Sequence, residues 1–158
     1  MSPNSSQASR DTRGVVTRSS TETFVTSPSV SWQFVVDHGD EVEPLRFEPQ
    51  AEQGVGTLNH LSMRFLGRHL VAVSRTTYWD PPSRCAFESV TPARPVIARI
   101  TEDFRPSDLG GTRHTITYEV VPTEWIGHPI AHVIAAAMIR NRRRYQRHLR
   151  SALKSIPE

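Results

Sequence analysis

Glu102, His114 and Tyr118 are the residues whose types and spacing could support acid–base chemistry. His114 and Tyr118 stand an even number of positions apart in one predicted strand, so their side chains share one face of the sheet. A hairpin joins this strand to the one that holds Glu102, and pairing places Glu102 directly opposite His114 or one diagonal away. A carboxylate beside an imidazole in a dry site could act as a general acid–base pair, with Tyr118 donating to a carbonyl oxygen.

The same residues also fit a non-catalytic interpretation. The loop at residues 107–111 follows the strand of Glu102 and precedes the strand of His114. The ends of strands are often wet, so the two side chains could be solvated at the open rim of the sheet, or merely paired with each other. The sequence leaves both interpretations open.

Other reactive residues carry weaker signals. His128 and His132 stand four apart, a spacing that can bind a metal from one helix face, but no glutamate follows the first and no third ligand is in view, so no metal site is expected. Cys85 shares a strand face with Phe87, which favours a small buried hydrophobe over a nucleophile. The sequence has no nucleophile elbow, phosphate-binding glycine loop or dinucleotide fingerprint, and therefore predicts no cofactor.

Short strands that would position these residues fill the middle of the chain. β-branched residues predict a first strand at 16–26, and Ser27-Pro28 then predicts a helix of about ten residues that stops at 38–40. Val30 and Phe34 are predicted to face inward, and Trp32 and Val35 are further candidates for that face. Turn signals separate the later predicted strands, at 45–50, 57–66, 70–79, 85–90, 96–104 and 113–121. Strands at this even spacing predict one meandering antiparallel sheet.

A long amphipathic helix is predicted at residues 129–155. Its apolar residues recur at three- and four-residue intervals: Ile130, Val133, Ile134, Ala137, Met138, Tyr145, Leu149, Ala152 and Leu153. A helix with one apolar face must bury that face, and the sheet is the available partner.

The second half of this helix is rich in arginine: Arg140, Arg142, Arg143, Arg144, Arg147 and Arg150. Cations there complement the negative end of the helix dipole, and their spacing places most of them on the solvent side. A solvated face is the expected interpretation, and contact with RNA, DNA or an anionic lipid is the alternative.

Composition limits the broad class of the protein. The chain of 158 residues fits one domain, predicted at 15–157 after a disordered polar tail at 1–14. No apolar run approaches the roughly 20 residues of a membrane span, and the start of the chain is not a secretory signal. One cysteine excludes an internal disulfide. The 16 acidic residues are scattered among 19 basic ones, which argues against nucleic acid as a partner. A cytoplasmic protein is expected.

Four local features occur in order between residues 15 and 155. They are a first strand that leads into 27–32, a glycine turn at 54–57, the Trp-Asp-Pro-Pro run at 79–82, and Phe104 leading through 110–113. Together with the closing helix, they resemble the START-like (SRPBCC) superfamily, which includes polyketide cyclases and dehydrases, Bet v 1-type allergens and lipid-transfer domains. Many members have a second short helix, but only about six residues separate Asp37 from Pro44 here, so that helix is predicted to be truncated or absent.

The resemblance implies an α+β helix-grip fold, in which a curved antiparallel sheet wraps around the long C-terminal helix and leaves a cavity between them. Such a concave, mostly apolar site suits a small ligand. Strand alternation and helix phase place the following predicted ligand-binding residues around it: Asn59, Leu61, Met63, Phe87, Ile100, Phe104, Ile116, Ile134 and Met138.

Three classes of function follow from the sequence. The favoured one is binding of an apolar small molecule, such as a lipid, a polyketide or an aromatic metabolite, without catalysis. The second is an enzyme of the polyketide cyclase or dehydrase kind that uses Glu102, His114 and Tyr118. The third is a regulatory interaction module that acts through the basic C-terminal helix. An exposed sheet edge would also allow a homodimer.

Overall fold

The computed structural model describes residues 14–42, 45–47, 54–65, 68–89 and 96–156. Within these residues it contains the following elements: β1 Val16–Phe24, α1 Pro28–Val42, β2 Leu45–Phe47, β3 Leu58–Phe65, β4 Arg68–Asp80, β5 Arg84–Ser89, β6 Val96–Pro106, β7 Thr112–Pro122 and α2 Gly127–Leu153. The predicted tail at 1–14 falls almost wholly outside the described residues, so its disorder stays a prediction.

The strands form one antiparallel sheet with the order β1-β7-β6-β5-β4-β3-β2. Strands β2 to β7 meander, and β1 returns to pair along its whole length with β7. Helix α2 packs mainly on β1 and β7, and α1 covers part of β6. The predicted α+β helix-grip fold is therefore confirmed.

A small buried polar cluster fixes the junction between β1 and α1. The Ser27 carbonyl accepts from the Ser31 amide at 2.9 Å, which begins the helix where Ser27-Pro28 predicted it. Ser31 is fully buried and donates to Thr112 Oγ1 at 3.1 Å, while Thr112 Oγ1 donates to the Thr26 carbonyl at 2.7 Å. These bonds tie the first turn of α1 to β7 and satisfy polar groups that would be costly to bury alone.

Two details of α1 differ from the prediction. The helix continues through 38–40 to Val42, because a single internal glycine costs only about 1 kcal/mol and does not stop a helix. The prediction that Val30 faces inward is wrong. Val30 is 41% exposed, because the anchoring of Ser31 on the inner side turns Val30 outward. Trp32, a further candidate for the inward face, is buried with its ring edge-on to Trp79 and Phe104. Only two residues separate α1 from β2, which leaves no room for a second helix.

The burial of side chains along α2 also differs from the prediction at two positions. Small residues, Ala131 and Ala135, are fully buried and let the helix approach the sheet closely. Val133, predicted to face inward, is 54% exposed, because it lies between these two alanines in sequence and on the other side of the helix. Arg142, predicted among the solvated arginines, is buried with 4% exposure. No described helix is both long enough and apolar enough to span a membrane.

The apolar core lies between the sheet and α2. Its largest cluster joins the inner faces of β1, β6 and β7 to the second half of α2, through Phe24, Ile100, Ile116, Tyr118, Ile139, Tyr145, Leu149 and Leu153. A second cluster joins the first half of α2 to Val16, Val96 and Val120. Met138 packs against both clusters and therefore marks the middle of the layer between sheet and helix.

The β6–β7 loop gives a matched test of packing. Gly110 and Gly111 both have positive φ, 83° and 76°, but only at Gly111 would an added Cβ collide with backbone, namely the Phe24 carbonyl. We expect Gly111→Ala to lower the free energy of unfolding by at least about 2 kcal/mol more than Gly110→Ala, because overpacking adds to the conformational cost that both share. Urea denaturation of the two variants measures this difference, and equal values would contradict the close approach of the loop to β1.

Candidate functional site

A group of polar side chains lies between the inner face of the sheet and α2. Its members are Glu102, His114, Tyr118 and Arg142. Strand β6 supplies Glu102, β7 supplies His114 and Tyr118, and α2 supplies Arg142. All four are at most 4% exposed. His114 pairs with Phe104 and Ile116 pairs with Glu102 across the hairpin, so Glu102 lies one diagonal from His114, which confirms the predicted pairing. We call these four residues the polar cluster.

The Glu102 carboxylate lies between an imidazole and a guanidinium. Its Oε2 is 3.2 Å from Nε2 of His114, within hydrogen-bond distance. Its Oε1 is 4.0 Å from Nη1 of Arg142, at the limit of an ion pair. Each carboxylate oxygen therefore faces one partner, and Glu102 links the sheet to the helix.

Arg142 is held by aromatic residues as well as by the carboxylate. Its Nε donates to the hydroxyl of Tyr118. Its guanidinium carbon lies 4.9 Å from the ring centroid of Tyr145 and 6.0 Å from that of Tyr118, which are cation–π distances. A positive charge is tolerated at this depth because a carboxylate, a hydroxyl and two ring faces surround it.

The electrostatics keep Glu102 ionised. Burial by itself raises the pKa of Glu102, but the hydrogen bond with His114 and the charge of Arg142 hold this pKa below its ordinary value. A charged carboxylate in a dry interior is stable only with such partners. The cluster therefore holds a fixed negative charge against the imidazole ring at neutral pH.

Aromatic rings shield His114 from solvent. The ring of Phe104 stacks on the imidazole at a centroid distance of 4.4 Å, and that of Phe24 lies tilted at 5.3 Å. His114 has no exposed surface and Glu102 is 4% exposed. The interpretation of a solvated pair at the open rim is therefore wrong, because both side chains are buried, these strands continue past both residues, and two phenyl rings cover the imidazole.

Nδ1 of His114 and Oδ1 of Asn59 are buried and have no hydrogen-bond partner within the described residues. Asn59 is 1% exposed, and its Nδ2 donates to Thr76 Oγ1 at 3.1 Å. Native proteins rarely leave buried polar atoms unpaired, and such atoms often mark a place where another molecule binds.

The predicted ligand-binding residues lie in the same layer where they are described. Ile100, Phe104 and Ile116 are buried in the core, and Phe87, Ile134 and Met138 are partly buried against it. For Leu61 and Met63 the structure describes the backbone in β3 but not the side chains. Contact of any of these residues with a ligand stays a prediction.

Sequence reasoning missed two residues of α2, Arg142 and Gln146. Gln146 is fully buried, and its Nε2 lies 3.3 Å from the carbonyls of both Ser20 and His114, to which it donates. The Ser20 hydroxyl donates back to Gln146 Oε1 at 2.7 Å. A signal was present in the spacing, since both residues continue the buried run from Ile139 to Leu149 at helical intervals.

The remaining reactive residues lie outside the polar cluster. Cys85 is buried, and burial followed by the charge of Glu102 raises its pKa well above the usual value, so the thiol stays protonated and packs as a small hydrophobe. His128 and His132 are exposed, and within the described residues no group of three or more side chains could hold a metal ion.

Most arginines of α2 do face solvent. Apart from Arg142, those at 140, 143, 144, 147 and 150 are exposed, as the helix periodicity predicts. Arg150 lies 3.5 Å from Glu22 at the surface, a pair that contributes little to stability.

The pH dependence of stability tests the charge on Glu102. Because the folded-state pKa is lowered, ionised Glu102 stabilises the protein fully above its unfolded pKa of about 4.3, and this contribution is lost as the pH falls through the lower folded value. We expect Glu102→Gln to lower the free energy of unfolding by about 3 kcal/mol at pH 7, with a smaller loss at pH 3. Urea denaturation followed by circular dichroism at both pH values measures the two losses.

The matched control for this experiment is Glu119→Gln. Glu119 lies on the outer face of β7, so its replacement removes a carboxylate from the same hairpin without touching the polar cluster. A loss for Glu102→Gln that is the same at both pH values would show that Glu102 is not ionised in the folded protein.

Comparison with known proteins places the fold among solved structures. A scan against protein-family models and a search of curated proteins each found no match. The crystal structure of Ara h 8.0201, a Bet v 1-type allergen, has a TM-score of 0.69 and 12% identity, and the match covers 90% of this chain and 99% of that chain.

Two proteins named as aromatase/cyclases have similar structures. The Zhui aromatase/cyclase from Streptomyces sp. R1128 has a TM-score of 0.71 and 16% identity, with 89% of this chain and 94% of that chain covered. The di-domain ARO/CYC BexL from the BE-7585A biosynthetic pathway has a TM-score of 0.69 and 16% identity, with 90% of this chain and 51% of that chain covered. At these identities the likeness shows the fold alone: this chain has the same helix-grip fold as these structures.

Proposed function

We propose that this protein binds an apolar small molecule, such as a lipid, a polyketide or an aromatic metabolite, between the sheet and α2. The observation that carries the proposal is the polar cluster, in which Glu102, His114 and Arg142 are enclosed by apolar side chains on the inner face. Ligand sites in proteins commonly combine an apolar lining with a few convergent polar groups.

Energetics support the same proposal. A buried ion pair seldom stabilises a protein more than apolar residues of the same volume, because desolvation offsets the attraction between the charges. Nδ1 of His114 and Oδ1 of Asn59 are moreover buried and unpaired within the described residues. Retention of such costly groups is readily explained by a bound molecule that they orient.

The structural neighbours agree with this class of function. The Zhui protein is named an aromatase/cyclase, and BexL is named a di-domain ARO/CYC from a biosynthetic pathway. One fold hosts many functions, so their activity is theirs, and the shared architecture supports only a small-molecule site here. The ligand would lie against Ile100 and Ile116 of the sheet and against Ile134 and Met138 of α2.

Overfilling the layer between sheet and helix tests the proposal. Met138 packs against both core clusters, whereas Val133 on the same helix is 54% exposed. We expect Met138→Trp to weaken binding of the neutral fluorescent probe N-phenyl-1-naphthylamine at least about tenfold, because the indole occupies the space that the ligand needs. Val133→Trp serves as the control and should bind the probe as the wild type does.

Native mass spectrometry of the protein purified from its own host, followed by denaturation, would identify a co-purified ligand. An empty wild-type protein that also leaves the fluorescence of the probe unchanged would contradict the proposal.

Catalysis on the bound molecule is the second candidate function, and the Glu102–His114 pair at 3.2 Å favours it. Glu102 would orient the imidazole, His114 would accept a proton from a carbon beside a carbonyl group, and Tyr118 would donate to the carbonyl oxygen. The reaction class would be enolisation, cyclisation or dehydration of a polycarbonyl substrate.

Turnover of the extracted compound separates a carrier from an enzyme. If the pair is catalytic, we expect Glu102→Gln to lower turnover at least about a hundredfold, since a positioned acid–base group contributes on that scale. Glu119→Gln is the control on the outer face of the same hairpin. Turnover by Glu102→Gln at the wild-type rate would show that the pair is not catalytic, and no turnover by the wild type would leave binding alone as the function.

A further inference from the structure

We infer that the site selects neutral ligands that carry a hydroxyl group, and that this hydroxyl donates a hydrogen bond to Nδ1 of His114. The inference rests on the proposed binding function and adds the chemical class of the ligand. Three features of the polar cluster support it: the tautomer of His114, the covering of its ring faces, and the balance of charge around it.

The Glu102 carboxylate determines which imidazole nitrogen carries the proton. An ionised carboxylate only accepts hydrogen bonds, so Nε2 of His114, 3.2 Å from Oε2, must be the donor. In the neutral imidazole the other nitrogen, Nδ1, then carries a lone pair and can only accept. Glu102 thus prepares Nδ1 as an acceptor.

Within the described residues, this acceptor has no partner in the protein. Phe104 and Phe24 lie against the imidazole at 4.4 and 5.3 Å between centroids, so the ring faces are occupied by carbon. A hydrogen bond to Nδ1 lies in the plane of the ring and not over the faces that these phenyl groups cover. A ligand hydroxyl placed there would satisfy a buried atom that otherwise destabilises the fold.

The charge balance disfavours an anionic ligand. Glu102 and Arg142 carry opposite charges 4.0 Å apart, and Arg142 also donates to Tyr118 and lies over the ring of Tyr145. A ligand carboxylate would add a second buried anion beside Glu102, with the guanidinium already engaged. A hydroxyl group therefore fits this site better than the head group of a fatty acid does.

Three probes with one carbon skeleton test the selectivity of the full-length protein: 2-naphthol, 2-methoxynaphthalene and 2-naphthoate. We expect isothermal titration calorimetry to give a dissociation constant about tenfold lower for 2-naphthol than for 2-methoxynaphthalene, the ratio that one added hydrogen bond supplies. Binding of 2-naphthoate should be weaker than binding of either neutral probe, because the carboxylate must be desolvated beside Glu102.

The variant His114→Gln attributes the preference to one atom. Glutamine retains an amide donor that can reach Glu102, but it removes the acceptor at the Nδ1 position, so the preference for 2-naphthol should disappear. The matched control is His132→Gln, the same change at an exposed position of α2, which should retain the preference. In the wild type, ¹⁵N NMR should show that 2-naphthol shifts the Nδ1 resonance of His114 more than the Nε2 resonance.

The outcomes separate this inference from the function on which it rests. Equal affinities of the wild type for 2-naphthol and 2-methoxynaphthalene, or tighter binding of 2-naphthoate, would overturn the hydroxyl selectivity while apolar binding stands. Failure of all three probes to bind would count against the proposed function itself. Should His114→Gln not fold, the wild-type affinities and the Nδ1 resonance still decide the matter.

Discussion

The buried carboxylate of Glu102 is the interaction on which the interior of this protein depends. It lies between His114 of the neighbouring strand and Arg142 of the closing helix, at 3.2 and 4.0 Å. An ionised group at this depth is stable only while both partners are in place, so it constrains the hairpin and the helix together. This one charge therefore helps to fix the position of α2 on the sheet and makes Nε2 the donor nitrogen of the imidazole.

Gln146 adds a second constraint to the docking of α2. It bonds to β1 through Ser20 and to β7 through the carbonyl of His114, while Ala131 and Ala135 let the helix approach the sheet. The apolar stripe alone would tolerate a small rotation of the helix, because hydrophobic burial has little directionality. Directional hydrogen bonds remove that freedom and bring Arg142 to Glu102.

The polar cluster costs stability that an apolar interior would not. Apolar side chains could fill the interior of a helix-grip fold at lower cost than a carboxylate, a guanidinium and an imidazole with an unpaired nitrogen. In natural proteins, the positions where the residue type conflicts with good packing or with polar pairing are commonly functional sites. The similarity in fold to Ara h 8.0201 and to the aromatase/cyclases is compatible with this explanation, and the arrangement of Glu102, His114 and Arg142 distinguishes this interior from an ordinary apolar core.

The sequence by itself determined the order of the elements and the inner face of the β6–β7 hairpin, because strand alternation is a local property with a period of two. This alternation, together with hairpin pairing, is enough to place Glu102 beside His114. The phases of the helices were decided only by the tertiary structure, since they depend on contacts between residues far apart in the chain, such as Ser31 with Thr112. Arg142 shows the consequence. Because it is one of several arginines on the helix, the sequence predicts that its side chain is solvated. Only the long-range partners Glu102 and Tyr118 make its burial favourable.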